Sequence, residues 1–459
     1  MEKIQKWRTD LIYFFMLIFF GILLAFLTPP YQVPDEPNHF YRAYQISEGI
    51  FRSPSVETSD INGEKIYYCA EIPNSQNSLY AAGIAPHGII DGRNYFSLGS
   101  ALELFSVPLN SEDTQQIHIP NTGSYSPLVY APQATGIFLA RLLSDSIGAV
   151  FYGARLGAVI FAAICGFFAL RFLPEKKFLI FAITFAPMFL FEAASCSADS
   201  TVYALTLLCT AYLLSLRKKN TILAQDLFFM GLASISLGFS KQVYGTVLLL
   251  YFLIPEKNFG GRRNFLLAGL SIFMLYLTAA ASWIHFAKSG VNVLPYMAPF
   301  PNVNLSEQIN FVKDNPLEFL KACSTTTKTY LLSWGKSFIG NLGWLNIQFP
   351  KWFYYFYTAI FLVGGFWGSL NLKIFQRALM IFAVIPTFLA TFLFLYLTWT
   401  PVGDKMILGF QGRYLIPCAL MFFSAFSFKE SNSYENIFSC ALGIFSATFT
   451  IWVIVQHFY

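Results

Sequence analysis

The stretch "LIYFFMLIFFGILLAFL", residues 11–27, decides the fold, because it is an unbroken apolar run without a charged residue. From Leu11 to Thr28 a helix would extend about 27 Å, enough to cross the hydrocarbon core of a bilayer. Lys3, Lys6 and Arg8 precede it, and no small-residue cleavage site follows. We therefore predict a retained first span with its N-terminus in the cytoplasm.

The composition of the whole chain agrees with this first span. Of its 459 residues, 55% are hydrophobic and only 12% are charged, whereas soluble chains carry about 25% charged residues. The apolar runs are continuous rather than alternating, which favours helices over a barrel. The net charge of +5 is spread over short basic clusters between the runs, as in cytoplasmic loops, and forms no patch for nucleic acid.

The clusters predict an all-α polytopic membrane protein, a single membrane domain over residues 1–459 with about eleven transmembrane helices. The predicted spans are 11–28, 151–172, 178–193, 199–216, 222–240, 243–255, 264–287, 352–370, 378–398, 411–428 and 436–456. Residues 31–150 form a large first extracytoplasmic loop, with interface helices such as the Pro127–Arg141 region, and 288–350 form a second. Cys69 and Cys323 would both lie outside the cytoplasm and could pair.

The motif "PDEPNHFYR", residues 34–42, places two carboxylates, a histidine and an arginine directly after the first span. Pro37 favours the start of a helix, so Asp35 and Glu36 would form its N-terminal cap. One carboxylate could then act as a general base, with His39 and Arg42 on the adjacent helix face. The alternative is an interface cap beside lipid headgroups.

Other polar residues sit at predicted outer ends of spans. In "GFQGRYLIP", Arg413 could clamp a phosphodiester through its planar fork, with Gln411 and Tyr414 as donors and Gly412 allowing close ligand approach. Lys241 in "GFSKQVYG" is a second cation near membrane depth. The alternatives are side chains reaching headgroups or water. Asp199 in "FEAASCSADS" is a helix cap or a ligand, and Tyr125 belongs to a group of tyrosines that could stack on sugars.

The chain resembles a bacterial membrane family, domain of unknown function 2142. The matching stretches, in order, are "DEPNHFYRAYQISEG", "YSPLVYAPQATGIFLARL", "SCSADSTVYAL", "SKQVY", "IGNLGWLNIQFP" and "GFQGRYLIP". The order of features also resembles the GT-C superfamily of membrane glycosyltransferases, which carry an acidic motif in the first outer loop. An arginine at the start of the second span, here Arg155, is part of that similarity.

The GT-C resemblance implies an inverting glycosyltransferase of the bacterial cytoplasmic (inner) membrane, multi-pass and with its active site facing outward. A polyprenyl-phosphate-linked sugar would be the donor and an envelope glycan the acceptor, with a carrier-sugar synthase and a flippase acting upstream. Asp35 or Glu36 would be the base; Arg413, Lys241, Gln411 and Tyr414 would bind the donor phosphate; and His39, Arg42, Tyr125, Arg155 and Asp199 would bind substrate.

Two questions stay open at this stage. The chain lacks the DxD metal motif of the oligosaccharyltransferase branch, so no cofactor is assigned, although the acidic pair could bind a divalent cation. The alternative functions are a transporter or flippase of a lipid-linked sugar, which needs the cations but no base, and an envelope polysaccharide polymerase or ligase.

Overall fold

A computed structural model describes residues 8–60, 63–83, 96–288, 302–428 and 434–459. These residues are mostly helical, and six of their helices are long and apolar enough to cross a membrane: Thr9–Leu27, Ile147–Phe172, Ala198–Leu216, Arg262–Lys288, Ile374–Thr398 and Glu435–Phe458. The predicted polytopic helical membrane architecture is thereby confirmed. Lys3 and Lys6, and residues 289–301 of the predicted second outer loop, lie outside the described residues.

The α-helices of the described part, in chain order, are α1 (Thr9–Leu27), α2 (Glu36–Ser47), α3 (Asn77–Ala82), α4 (Leu98–Glu103), α5 (Ala131–Arg141), α6 (Ile147–Phe172), α7 (Lys177–Thr184), α8 (Pro187–Ala193), α9 (Ala198–Leu216), α10 (Ala224–Phe239), α11 (Arg262–Lys288), α12 (Leu305–Asp314), α13 (Pro316–Ile339), α14 (Lys351–Phe366), α15 (Ile374–Phe382), α16 (Val384–Thr398), α17 (Ala419–Ser424) and α18 (Glu435–Phe458). Segments of 3-10 helix lie at Asn74–Gln76, Leu104–Ser106, Pro127–Tyr130, Pro174–Lys176, Gln242–Leu253, Glu256–Phe259 and Gly412–Cys418.

The predicted first outer loop contains a small antiparallel sheet, so the all-α prediction is wrong there. Its strands are β1 (Ser55–Asp60), β2 (Gly63–Pro73) and β3 (Thr114–His118), with β2 in the centre. Ser55 pairs with Tyr68, and Cys69 with His118. Strands β1 and β3 are short and mostly polar, which explains why no apolar alternation indicates them. A second pair, β4 (Asn341–Leu342) and β5 (Ile347–Gln348), forms a short hairpin.

Helix α6 is a centre of packing and contacts α1, α5 and α9. The approach of α5 is close enough to require glycine: a Cβ on Gly136 would lie 2.0 Å from the carbonyl oxygen of Gly153. Helix α5, in the region predicted to lie at the interface, exposes Phe138 and Leu139, and the turn directly after it exposes Leu142 and Leu143. These apolar side chains have a surface that suits lipid contact.

Several predicted spans have a different local structure. Residues 178–193 form two short helices, α7 and α8, because Pro187 begins a new helix after a break. Residues 243–255 are largely 3-10 helix, and 411–428 combine 3-10 helix with α17. The predicted second outer loop contains α12 and the 24-residue helix α13.

The cysteines provide a second correction. Cys69 and Cys323 are both buried and free, so the suggested pairing between them is wrong. Cys69 lies in β2, whereas Cys323 packs in a separate small cluster with Trp334, Phe392 and Phe410.

Candidate functional site

The backbone between α1 and α2 turns sharply and holds two residues in the left-handed region. Tyr31 has a φ of 64° and Asp35 a φ of 60°. A non-glycine residue in this region costs on the order of 1–3 kcal/mol and persists only where its surroundings hold it. Because such strain is concentrated at functional sites, Asp35 is a candidate for a functional role.

Asp35 stands at the N-cap position of α2, yet its side chain makes no capping hydrogen bond. Its Oδ1 accepts a hydrogen bond of 3.1 Å from Nδ2 of Asn121, in the turn after β3. The predicted capping by this carboxylate is therefore wrong, because the carboxylate pairs with the turn after β3 instead. Asp35 remains partly exposed.

Glu36, the second member of the acidic pair, is fully buried in an ion pair with Arg155. Arg155 donates from Nε to Oε1 at 2.8 Å and from Nη2 to Oε2 at 2.6 Å. The backbone N–H groups of Tyr31 and Cys196 donate to the same carboxylate at 3.0 and 3.1 Å. Glu36 thus ties the segment after α1 to α6 and to the turn before α9.

The remaining donors of Arg155 go to the end of α1. Nη1 donates to the carbonyl oxygens of Ala25 and Thr28, both at 2.6 Å, and Nη2 donates to that of Pro29 at 3.1 Å. A guanidinium has five N–H donors. Two of them go to Glu36 and three to these carbonyl oxygens, so all five are used. The geometry leaves Arg155 no donor for a substrate and favours a structural role over the predicted substrate-binding one.

Lys241 brings together residues from four parts of the chain. Its Nζ donates to Oδ1 of Asp199, in the first turn of α9, at 2.5 Å. The ammonium also lies 5.3 Å from the ring centroid of Tyr125 and 5.8 Å from that of Tyr414. Such cation–π contacts stabilise a cation more strongly when it is largely removed from water. Four residues predicted separately therefore meet at one point.

Arg413 is the second cation of the cluster. Its guanidinium forms a buried ion pair with Glu192, at the end of α8, and its Nη1 lies 4.0 Å from Oδ2 of Asp199. Lys241 and Arg413 therefore share the Asp199 carboxylate and converge on one region. Three polar atoms of this region are buried without a hydrogen-bond partner among the described residues: Nε of Arg413, Oε2 of Glu192 and Oε1 of Gln411.

Gly412 has a different role from the one predicted. Its N–H donates to Oγ of Ser337 at 2.8 Å, and an added Cβ would lie 1.8 Å from the carbonyl oxygen of Trp334. Glycine at this position allows the close approach of α13, not that of a ligand. Helix α13 thereby helps to place the neighbouring Arg413.

The cluster acts on the Asp35 carboxyl through charge. Desolvation raises the pKa of Asp35 above its usual range, and Asp199 raises it further, while Arg413, Lys241 and the hydrogen bond from Asn121 lower it in part. A raised pKa is the property expected of a carboxylate that accepts a proton near neutral pH.

His39 lies beside the cluster as a neutral imidazole. Its Nδ1 is 2.7 Å from the hydroxyl of Tyr130 and accepts from the backbone N–H of Ala198 at 3.5 Å. Because Nδ1 is the acceptor, the ring proton belongs on Nε2. Burial lowers the pKa of His39 to about 3, opposed by Asp199 and assisted by Lys241 and Arg413. His39 can therefore serve as a hydrogen-bond donor.

Arg42, predicted to lie on the helix face beside the base and to bind substrate, makes its hydrogen bonds elsewhere. It donates to Oε1 of Gln45 and to the carbonyl oxygens of Ile50, Phe51 and Tyr125. Its guanidinium is therefore engaged in holding the chain after α2 against the segment before Tyr130.

Sequence reasoning assigned no site role to three residues of this constellation: Glu192, Tyr130 and Asn121. Glu192 and Tyr130 lie inside the quoted motifs, but nothing in the sequence marks their partners. Asn121 lies in the turn "PNTGS" at 120–124 and carries no signal beyond turn-forming residues. Among the described residues, no group of three or more His, Cys, Asp or Glu side chains is arranged to hold a metal ion.

The helices and the buried polar cluster define a polytopic helical membrane protein with a polar site at one end of its helix bundle. The chain belongs to the predicted membrane protein family DUF2142, whose model matches residues 17–422. No curated protein and no solved structure matches the chain. The predicted resemblance to that family is thereby confirmed.

Proposed function

We propose that the protein is a GT-C-type glycosyltransferase that moves a sugar from a polyprenyl-phosphate carrier to an envelope glycan on the outer face of the bacterial cytoplasmic membrane. The observation that carries the proposal is the placement of one partly exposed carboxyl, Asp35, in the electrostatic field of Arg413 and Lys241. A base and two cations in one place match a displacement that releases a phosphate.

Asp35 is the better candidate for the base. Glu36 is enclosed by Arg155 and two backbone N–H groups, so it has no open position for an acceptor hydroxyl. Asp35 has one hydrogen-bond donor among the described residues, and its surroundings raise its pKa. A positioned base contributes about 10² to 10⁴ in rate.

The step is a single displacement at the anomeric carbon. Asp35 accepts the proton of the acceptor hydroxyl while that oxygen forms a bond to the anomeric carbon. The bond between this carbon and the phosphate oxygen breaks, and the polyprenyl phosphate leaves with the electron pair. Arg413 and Lys241 stabilise the leaving phosphate by charge-assisted hydrogen bonds. The configuration at the anomeric carbon is inverted.

Both cations are paired with carboxylates, which bears on how the donor binds. The donor phosphate must compete with Glu192 for Arg413 and with Asp199 for Lys241. Gln411 and Tyr414 flank Arg413 in the chain and are the neutral donors of this group. Tyr125 lies against Lys241, and the charges of Lys241 and Arg413 reach His39. We place the acceptor near His39, which offers Nε2–H.

We propose that the chain crosses the membrane about eleven times and that this site lies on the outer face. The N-terminus of the first span is then cytoplasmic, and the region 31–150 covers the site. The upstream carrier-sugar synthase and flippase would supply the donor to the outer leaflet.

The test measures sugar transfer by the purified protein from synthetic polyprenyl-phosphate sugars to envelope glycan fragments. Asp35→Asn should bind the donor as the wild type does and transfer at least about a hundredfold more slowly, because only the proton acceptor is lost. The matched control is Asp113→Asn, an outer-region aspartate that is exposed and hydrogen-bonded to Asn74. It should transfer normally.

Other outcomes decide between the proposed function and its alternatives. Donor that crosses proteoliposomes intact, at equal rates in wild type and Asp35→Asn, would identify a transporter or flippase. Products that grow by a block of several sugars would identify a polymerase or ligase. If the Asp35→Asn variant transfers sugar at the wild-type rate, Asp35 is not the base.

A further inference from the structure

We propose that Asn121, itself fixed by Asn38, is a positioning residue that orients the Asp35 carboxylate so that Oδ2 faces the acceptor hydroxyl. The catalytic part of this inference rests on the proposed transferase function. The orientation itself rests on the geometry of three side chains and can be tested without sugar transfer.

The geometry is a two-step relay of amide groups. Nδ2 of Asn38 donates to Oδ1 of Asn121 at 2.6 Å, and Nδ2 of Asn121 donates to Oδ1 of Asp35 at 3.1 Å. Because Asn38 engages the oxygen of the Asn121 amide, the nitrogen of that amide is directed at Asp35. Oγ1 of Thr122 also donates to the carbonyl oxygen of Asn38 at 3.0 Å, which joins the turn to α2 a second time.

The relay fixes which carboxylate oxygen is used. Among the described residues, Oδ1 of Asp35 has the Asn121 amide as its side-chain partner, and no hydrogen bond reaches Oδ2. The left-handed backbone at Asp35 fixes the start of the side chain, and the Asn121 amide fixes its end. A base held at both ends loses little freedom when the acceptor arrives.

The neutral imidazole of His39, on α2, and the hydroxyl of Tyr414, in the 412–418 segment, share the field of the cluster. The charged groups that act on Asp35 are Asp199 of α9, Lys241 after the end of α10 and Arg413 of the 412–418 segment. Asn121 differs from them because it is neutral and in direct contact. A hydrogen bond to the ionised carboxylate favours that form, so removing the amide should make Asp35 harder to ionise even with all charges in place.

The experiment is an infrared titration of the Asp35 carboxyl in the full-length protein in nanodiscs, taken as the difference from Asp35→Asn. Asn121→Ala should raise the pKa of Asp35 by about one unit, which is a tenfold weaker acid, because it removes a hydrogen bond that favours the ionised carboxylate. Asn38→Ala, which leaves the amide of Asn121 in place but unanchored, should give a smaller shift of the same sign. Asn74→Ala is the matched control, because Asn74 donates to Asp113 at 2.7 Å in the same outer region; it should leave the pKa of Asp35 unchanged.

The same variants are then assayed for transfer against pH. In Asn121→Ala the acidic limb of the pH–rate profile should shift to higher pH by the same amount as the pKa of Asp35, because Asp35 must be ionised to accept a proton. An Asp35 titration that neither Asn121→Ala nor Asn38→Ala moves would overturn the proposal. If the wild type transfers no sugar, the proposed function fails, while the infrared titration still decides the role of Asn121. If Asn121→Ala does not fold, Asn38→Ala alone decides it.

Discussion

Asp35 and Glu36 are adjacent carboxylates with opposite surroundings. Glu36 is enclosed by Arg155 and two backbone donors, whereas Asp35 keeps one oxygen without a hydrogen bond among the described residues. The sequence predicts that the two point in different directions, because they are consecutive. It cannot say which is buried, since the partner of Glu36 lies 119 positions away in α6.

The first prediction at this scale concerns the Glu36–Arg155 pair. Removing one partner leaves an uncompensated buried charge, so Glu36→Gln and Arg155→Met should each destabilise the protein by roughly 3–5 kcal/mol. The double variant should lose less than the sum of the two. The measurement is thermal unfolding of the purified protein in detergent.

The control for this cycle is the ion pair of Arg141 and Glu48, whose side chains are about a third exposed. Solvent screens this pair, so Glu48→Gln should cost no more than about 1 kcal/mol. Equal losses in Glu36→Gln and Glu48→Gln would show that the buried pair does not hold the segment after α1.

At the scale of elements, α13 and the 412–418 segment pack without room between them. The sequence predicts an apolar run at 411–428 but not its 3-10 start, because the close contact between Gly412 and α13 depends on tertiary structure. Likewise, the sequence does not predict α13, because polar residues such as Thr325–Thr327 interrupt its apolar pattern. Periodicity identifies strongly apolar helices most easily.

The prediction for these elements is that Gly412→Ala displaces α13. Its Cβ would lie 1.8 Å from the carbonyl oxygen of Trp334, which is backbone and cannot rotate away. Overpacking of this kind costs typically about 1–3 kcal/mol, and the shift should also weaken donor binding through Arg413. Thermal unfolding and donor affinity measure the two effects.

Gly335→Ala is the matched control, because it lies on α13 with nothing within 4 Å of an added Cβ. Alanine there should be neutral or stabilising by up to about 1 kcal/mol through helix propensity. If both variants behave alike, the contact between α13 and Gly412 does not position Arg413.

At the scale of the whole molecule, the site is assembled from five separate stretches. The family resemblance identified most of these stretches, since Asp35, Asp199, Lys241 and Arg413 lie in quoted motifs. Their pairing did not follow, because an ion pair such as Arg413 with Glu192 joins residues 221 positions apart. Short motifs indicate which residues matter, whereas the helix packing determines which of them meet.

The contacts between loops divide the molecule into two ends, and this division supports the proposed topology. At one end, Nε1 of Trp344 donates to the carbonyl oxygen of Tyr31, and the N–H of Phe96 donates to that of Phe458. At the other end, Arg217 donates to the carbonyl oxygen of Leu370, and Lys177 donates to Asn436. The first end carries Asp35 and the second carries the basic clusters, as the positive-inside rule requires of a site facing outward.

The last prediction tests this orientation with single cysteines and a membrane-impermeant maleimide on intact cells, in a background whose native cysteines are replaced. Ser111→Cys and Asp314→Cys, both exposed and in the two predicted outer loops, should react without lysis. Asn220→Cys and Lys373→Cys, exposed at the basic end, should react only after lysis. Labelling of Asn220→Cys in intact cells would place the basic end outside. Asp35 would then face the cytoplasm, and a donor presented on the outer leaflet could not reach it.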